Sequence, residues 1–171
     1  MELKRLLYLV GIAVAITMLL RSFIFEGIYI PTASMEPTLP VGIHLVLDKI
    51  TYDLRVPVRG EVIAFVSPVP PTKDMVKRVI AIEGDTVEIR NKKVLLNGKE
   101  LEEPYVQYTR PTERLMGDNL GPLQVPQDHV FVLGDNRDES DDSSVWKDPS
   151  TGERVYFVPL SSIRGLVRGA Y

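Results

Sequence analysis

Ile30-Pro31-Thr32-Ala33-Ser34-Met35-Glu36-Pro37-Thr38-Leu39 follows directly on the long apolar run of the sequence. Pro31 and Pro37 fix φ and lack an N–H, which argues against regular helix here. What remains is an extended, stiffened segment with a central hydroxyl, Ser34. A stiff backbone suits a nucleophile, because it holds the reacting oxygen in place. A Pro-rich linker leaving an anchor would carry the same prolines. Linkers are usually polar, however, and Ile30, Met35 and Leu39 are not. The choice between linker and nucleophile segment therefore depends on what lies on either side.

Upstream, Leu6–Leu20 (LLYLVGIAVAITMLL) contains no charge. Continued to Phe25 it gives about 20 mostly apolar residues, the length that spans a ~30 Å hydrocarbon core. Lys4 and Arg5 precede it, and Arg21 can snorkel to the interface. A cleaved signal peptide would start the same way. Yet no small-x-small cleavage site follows at the right distance, where the chain reads Arg-Ser-Phe-Ile-Phe-Glu-Gly-Ile. A buried soluble helix is disfavoured by hydrophobicity on all sides. The reading is an uncleaved transmembrane helix with a cytoplasmic N-terminus, set by Lys4 and Arg5 and weakened by Arg21. The rest of the chain then lies on the exported side.

The 171 residues carry a formal charge of −3, with no basic tract, so nucleic acid is not an expected partner. There is no cysteine, which removes disulfides, thiol catalysis and Cys-ligated zinc. His44 and His129 are the only histidines, too few for a multi-His metal site and poor material for a His-based triad.

Downstream, short apolar runs alternate with turn residues, the pattern of a mainly β domain. His44–Leu47, Glu61–Val66 and Asp74–Ile82 read as strands. Thr86–Ile89 and Val94–Leu96 read as a hairpin, with Asn97-Gly98 turning the chain again. Residues 100–127 are polar, with weak periodicity. Val130–Leu133 and Val155–Val158 are further strands, and Ser161–Val167 is a short helix or strand. Among prolines, Phe65, Val66, Val69 and Met75 either pack in a core or form an apolar patch lying against a bilayer.

Ser34 needs a base, and with histidine scarce a lysine is the candidate. Lysine serves only if burial among apolar groups lowers its pKa. Lys77 lies in Asp-Met-Val-Lys-Arg-Val-Ile-Ala-Ile, where strand geometry sends Lys77 and Arg78 to opposite faces. One can face solvent while the other enters a site. A solvated edge-strand lysine remains the plainer reading of Lys77 taken alone. A third cluster, Gly134 through Ser143 (GDNRDESDDS), is acidic enough to suggest calcium. Counted from Asp135, the sixth and twelfth positions hold Ser140 and Trp146 rather than Gly and Glu, so the EF-hand pattern fails.

In order along the chain, four pieces resemble boxes of the bacterial type I signal peptidases: Ile30–Leu39, Arg59–Phe65, Val76–Asp85 and Gly134–Ser143, behind an N-terminal anchor. The resemblance covers residues 1–85 and 129–167 well and the middle poorly. It implies a signal-peptidase-like antiparallel β domain over 27–171 behind an anchor over 1–26, with 86–127 as a small β subdomain or insertion. It also implies a Ser/Lys dyad, with Ser34 as acyl-forming nucleophile and neutral Lys77 as general base. Thr32 and the Ser34 N–H would form the oxyanion hole. Ser140 would orient the lysine amine by a hydrogen bond, and Asp142 and Arg137 would support the loop. Ile30, Met35, Leu39 and Val76 match positions lining shallow pockets for small substrate side chains. The implied substrates are preproteins bearing signal peptides. The implied location is a plasma or thylakoid membrane, single-pass and in contact with the bilayer, with a monomer expected. No metal or cofactor is called for.

The chain departs from the family pattern at Ile43 (usually Asp), Glu139 (commonly Asn) and Ser144 (commonly Arg). About ten extra residues, Lys147–Tyr156, follow Trp146. Lysine in the second box separates the chain from the endoplasmic-reticulum type, which carries histidine there. Two rivals stay in view: a self-cleaving repressor-type Ser/Lys protease, which would lack the anchor, and a non-catalytic anchored β domain, which would not need a buried amine near Ser34.

Overall fold

Asp-Met-Val-Lys-Arg-Val-Ile-Ala-Ile is apolar at six of nine positions, on both faces, as suits a strand covered on both sides. In a computed structural model describing residues 2–70 and 73–170, it is the longest of the described strands. The chain begins with helix α1 (Glu2–Ile24), whose described side chains, Leu3 to Met18, are all exposed. Among the described residues no helix is long and apolar enough to cross a membrane. Strand β1 (Phe25–Tyr29) follows at once, then β2 (His44–Asp48), a single helical turn α2 (Thr51–Leu54), β3 (Val62–Val66) and β4 (Asp74–Ile82). Beyond these come β5 (Thr86–Arg90), β6 (Lys93–Leu96), β7 (Lys99–Glu100) and β8 (Leu120–Gln124). The chain closes with β9 (His129–Leu133), β10 (Val158–Pro159) and β11 (Ile163–Ala170).

Seven strands form one antiparallel sheet in the order β1-β2-β11-β3-β4-β9-β10, and four form a second in the order β7-β6-β5-β8. Their joint is the Glu83-Gly84-Asp85 turn, where Gly84 takes φ +83°, a region that costs glycine little. The Asp85 carboxylate accepts from Ile82 N, Asn97 Nδ2 and the Arg59 guanidinium, tying both sheets to the start of β3. Ile80, Ala81, Phe131 and Leu133 of the first sheet pack on Val87, Ile89 and Val94 of the second.

Several expectations change. The apolar run does not stay helical to Phe25, because Phe25–Tyr29 pairs in register with β2. The segment read as weakly periodic contains β8, an edge strand of its sheet, where Pro122 is tolerated because its missing N–H breaks no central ladder. Val155–Val158 shortens to Val158–Pro159, and Ser161–Val167 resolves as strand β11. Phe65 and Met75 are buried, and Val69 packs on their cluster with Trp146, so these three are core rather than a surface patch.

Candidate active site

The Ser34 stretch is held at both ends by backbone. Ile30 N donates to Ile43 O at 3.0 Å and Gly42 N to Ile30 O at 2.9 Å, continuing the β1–β2 pairing past Tyr29. A 3-10 turn over Ala33–Met35 follows an extended Thr32, and Leu39 N closes onto Met35 O at 2.8 Å. Ile30, Met35 and Leu39 bury themselves with Leu45, Leu47, Ala64 and Val76. That burial is why the stretch is not a linker: its apolar side chains peg the proline-containing segment to the sheet. Leu39 was expected to line a substrate pocket. It packs in this core and is not among the residues lining the cleft described below.

Lys77 sits opposite Ile63 in the β3–β4 register and is 2% exposed. Its Nζ donates to Ser34 Oγ at 2.6 Å. Among the described residues no carboxylate comes within ion-pair distance of it. Burial pushes its pKa down from 10.5 to about 8, with Asp142 and Asp141 pulling the other way. Thr32 Oγ1 lies 3.3 Å from Ser34 Oγ. The neighbouring Arg78 takes the opposite face, as strand geometry requires. It does not face free solvent there: its guanidinium forks onto Asp135 at 2.8 and 2.6 Å and lies 4.0 Å from the Tyr105 ring centroid.

The Gly134–Ser144 segment braces Ser34 from behind. Asn136 N donates to Ser34 O at 3.1 Å. Gly134 permits that approach, since a Cβ there would collide with Ser34 O and Ser140 Oγ. The buried Asp142 accepts from Gly134 N at 3.0 Å with one oxygen, and from Ser144 N and Oγ at 3.0 and 2.7 Å with the other. Ser144, where the family commonly has arginine, thus caps Asp142 directly. The extra segment contributes as well, because Arg154 hydrogen-bonds to Ser144 O. Arg137 donates to Gly134 O at 3.1 Å and forks onto Glu103 at 2.9 and 2.5 Å. Ser140 lies against Gly134, but its Oγ is buried without a hydrogen-bond partner, so the expected bond to the lysine amine is not formed.

A cleft of about 80 Å³ opens beside the dyad, with Ser34 and Lys77 at one end. Ile30, Met35 and Val76 line it, joined by Ile28, Ala64 and Met75, which sequence reasoning did not name for a cleft. Ala64 was open to inference, being the one small side chain in the strand Val-Ile-Ala-Phe-Val. Glu103 and Asp135 were missed too. Asp135 stood inside a quoted box, whereas nothing local marks Glu103.

With this geometry in hand, the comparisons with known proteins are specific. Residues 3–171 match the family model described as signal peptidase, peptidase S26. The chain is 40% identical over 140 residues to a probable signal peptidase I-2 of Synechocystis, a match covering 78% of this chain and 61% of that protein. It is 38% identical over 163 residues to signal peptidase I P of Bacillus subtilis subsp. natto, covering 90% and 87%. A crystal structure of a signal peptidase I from Enterococcus faecalis V583 superimposes with a TM-score of 0.50 at 33% identity, covering 66% of this chain and 97% of that one. The chain belongs to the signal peptidase family, peptidase S26.

Proposed function

We propose that this chain is a membrane-anchored serine endopeptidase that removes signal peptides from exported preproteins, with Ser34 as nucleophile and Lys77 as general base. The observation that carries the proposal is the 2.6 Å contact between Lys77 Nζ and Ser34 Oγ in a buried setting. The family relatives support the substrate class. Neutral Lys77 takes the Ser34 proton as Oγ attacks the scissile carbonyl, and returns it to the leaving amine. Lys77 then activates the water that releases the acyl group. The Ser34 N–H and the Thr32 hydroxyl face the developing oxyanion, the hydroxyl turning from its contact with Ser34 Oγ to do so. Arg137, Ser140 and Asp142 act through the loop that fixes the Ser34 carbonyl.

The cleft runs between the end of β1 and the first half of β4. The outer edge of β1 has no strand partner, and β9 pairs with β4 only from Arg78 onward. An extended peptide laid there finds main-chain partners as an added strand. The apolar floor at Ala64, Ile30, Met35 and Val76 favours small side chains, those at the positions one and three before the cut.

The anchor belongs to the same proposal. The described side chains of α1 stop at Met18, short of the roughly 20 residues a span needs, but the uncharged run Leu6–Leu20 and the exposure of every described α1 side chain support a bilayer around it. The catalytic domain would then lie outside a plasma or thylakoid membrane.

The full chain in detergent, given a precursor with Ala one and three residues before the junction, should cut at that junction, and Ser34→Ala should not. Cutting elsewhere, or unchanged cutting by Ser34→Ala, removes the proposal. Protease added to intact spheroplasts should digest residues beyond 26. Protection there, with digestion after lysis, reverses the orientation.

A further inference from the structure

The cleft does not close at Tyr29. It opens into a second cavity of about 620 Å³ that shares Ile28, Tyr29, Ala64 and Asp74 with it. The cleft is mainly apolar, but this cavity is ringed by charge: Glu26, Lys49, Asp53, Asp74 and Arg164. Lys49 pairs with Glu26 at 3.4 Å. Arg164 reaches Asp74 only at 4.0 Å, with side chains 63% and 67% exposed. Asp53 is exposed and has no ion-pair partner among the described residues. The uncompensated charge of the cavity is therefore negative.

Its position gives it a direction. Glu26 and Gly27 directly follow α1, and Lys49 N donates to Ile24 O at 3.0 Å, so the cavity is on the α1 side of the cleft and Ser34 is at the far end. The inference rests on the function proposed above. In a signal peptide the apolar stretch precedes the cut. If that stretch shares the bilayer with α1, the segment joining it to the scissile bond must pass this cavity. With the residues one and three before the cut seated in the cleft, an extended peptide reaches the wall shared with the cavity, Ile28 and Tyr29, from about the fourth residue upstream.

We propose that the cavity is an upstream subsite holding the residues about four to six positions before the cut, and that it prefers a basic side chain to a neutral one and a neutral one to an acidic one. The groups are solvent-screened, so the preference is modest, about two- to five-fold in KM per charge. The chemistry occurs at the other end of the cleft, so kcat should not change.

The test uses the full chain in detergent and three precursors that differ only in the fifth residue before the cut: Lys, Ala or Glu. KM should rise in that order at constant kcat, and 1 M salt should flatten the series. Asp53→Asn should bring the Lys precursor close to the Ala precursor, and Arg164→Glu should widen the gap between Lys and Glu. Equal KM values for the three precursors overturn the subsite, as does a series that neither variant alters. Failure to cleave even the Ala precursor overturns the endopeptidase reading and the subsite with it. Cleavage without charge discrimination overturns the subsite alone.

Discussion

Lys77→Arg is expected to abolish precursor cleavage as completely as Ser34→Ala, a fall in kcat of roughly 10⁴- to 10⁶-fold on the scale seen when a nucleophile–base unit is broken. The substitution keeps the charge and nearly the length. A guanidinium, however, cannot give up its proton in a protein, so it cannot accept one from Ser34 Oγ. If Lys77 were only a structural cation, Arg would retain much of the activity. The double variant should be no worse than either single one, because the two groups act as one unit. The pH profile supplies a second readout. Burial holds the Lys77 pKa at about 8, below its ordinary 10.5. The neutral amine is the active form, so kcat/KM should climb tenfold per pH unit below about 8 and level off above it. A Lys77→Arg protein with near-parental turnover, or a flat profile from pH 6 to 9, would refute the base assignment and leave the fold untouched.

The Ser34–Lys77 contact was legible because each residue carries its own local signal. Two prolines around a hydroxyl mark a stiff segment, and a Lys-Arg pair inside an otherwise apolar strand marks side chains sent to opposite faces. The bracing was not legible, because its partners are distant in sequence. Arg78 and Asp135 are 57 residues apart, and Arg137 and Glu103 are 34 apart. No periodicity brings such pairs together: the β4–β9 pairing sets Arg78 beside Asp135, and the docking of the segment around Glu103 on the Gly134 loop sets Arg137 beside Glu103. Elements were missed where two signals overlapped. The apolar run of α1 passes without a break into β1, and only pairing with β2 separates them. The single turn α2 is too short to show a period, although Asp48 announces it by accepting from Ile50 N and Thr51 N at 3.0 Å each. Leu39 shares one buried cluster with Ile30 and Met35, yet only the latter two reach the cleft, a difference set by position in the turn that sequence spacing does not show.

Glu103→Ala is expected to cost about 3–5 kcal/mol of folding stability, the usual loss when one partner of a buried ion pair is removed. The Glu103 and Arg137 side chains are 8% and 9% exposed. Without Glu103, the guanidinium keeps its bond to Gly134 O, at 3.1 Å, but loses its carboxylate partner inside a poorly solvated site. Tyr105 Oη, which donates to Glu103 Oε1 at 3.0 Å, loses its acceptor as well. Urea unfolding should show a lower midpoint with an unchanged slope. Glu103→Leu combined with Arg137→Leu should recover most of the loss, because it removes the desolvated charge together with its partner. The effect should also reach the active site. Gln107 O accepts from Arg137 N at 3.1 Å and Gln107 N donates to Asp135 O at 2.9 Å, so the irregular segment that carries Glu103 clamps the residues on both sides of Asn136. Asn136 N in turn holds Ser34 O. The folded fraction of Glu103→Ala should therefore lose kcat with little change in KM, since the apolar cleft that binds substrate does not include this loop. A stability loss below about 1 kcal/mol would mean that the pair is solvated in practice and that the loop is held by Asp142 and Asp135 alone.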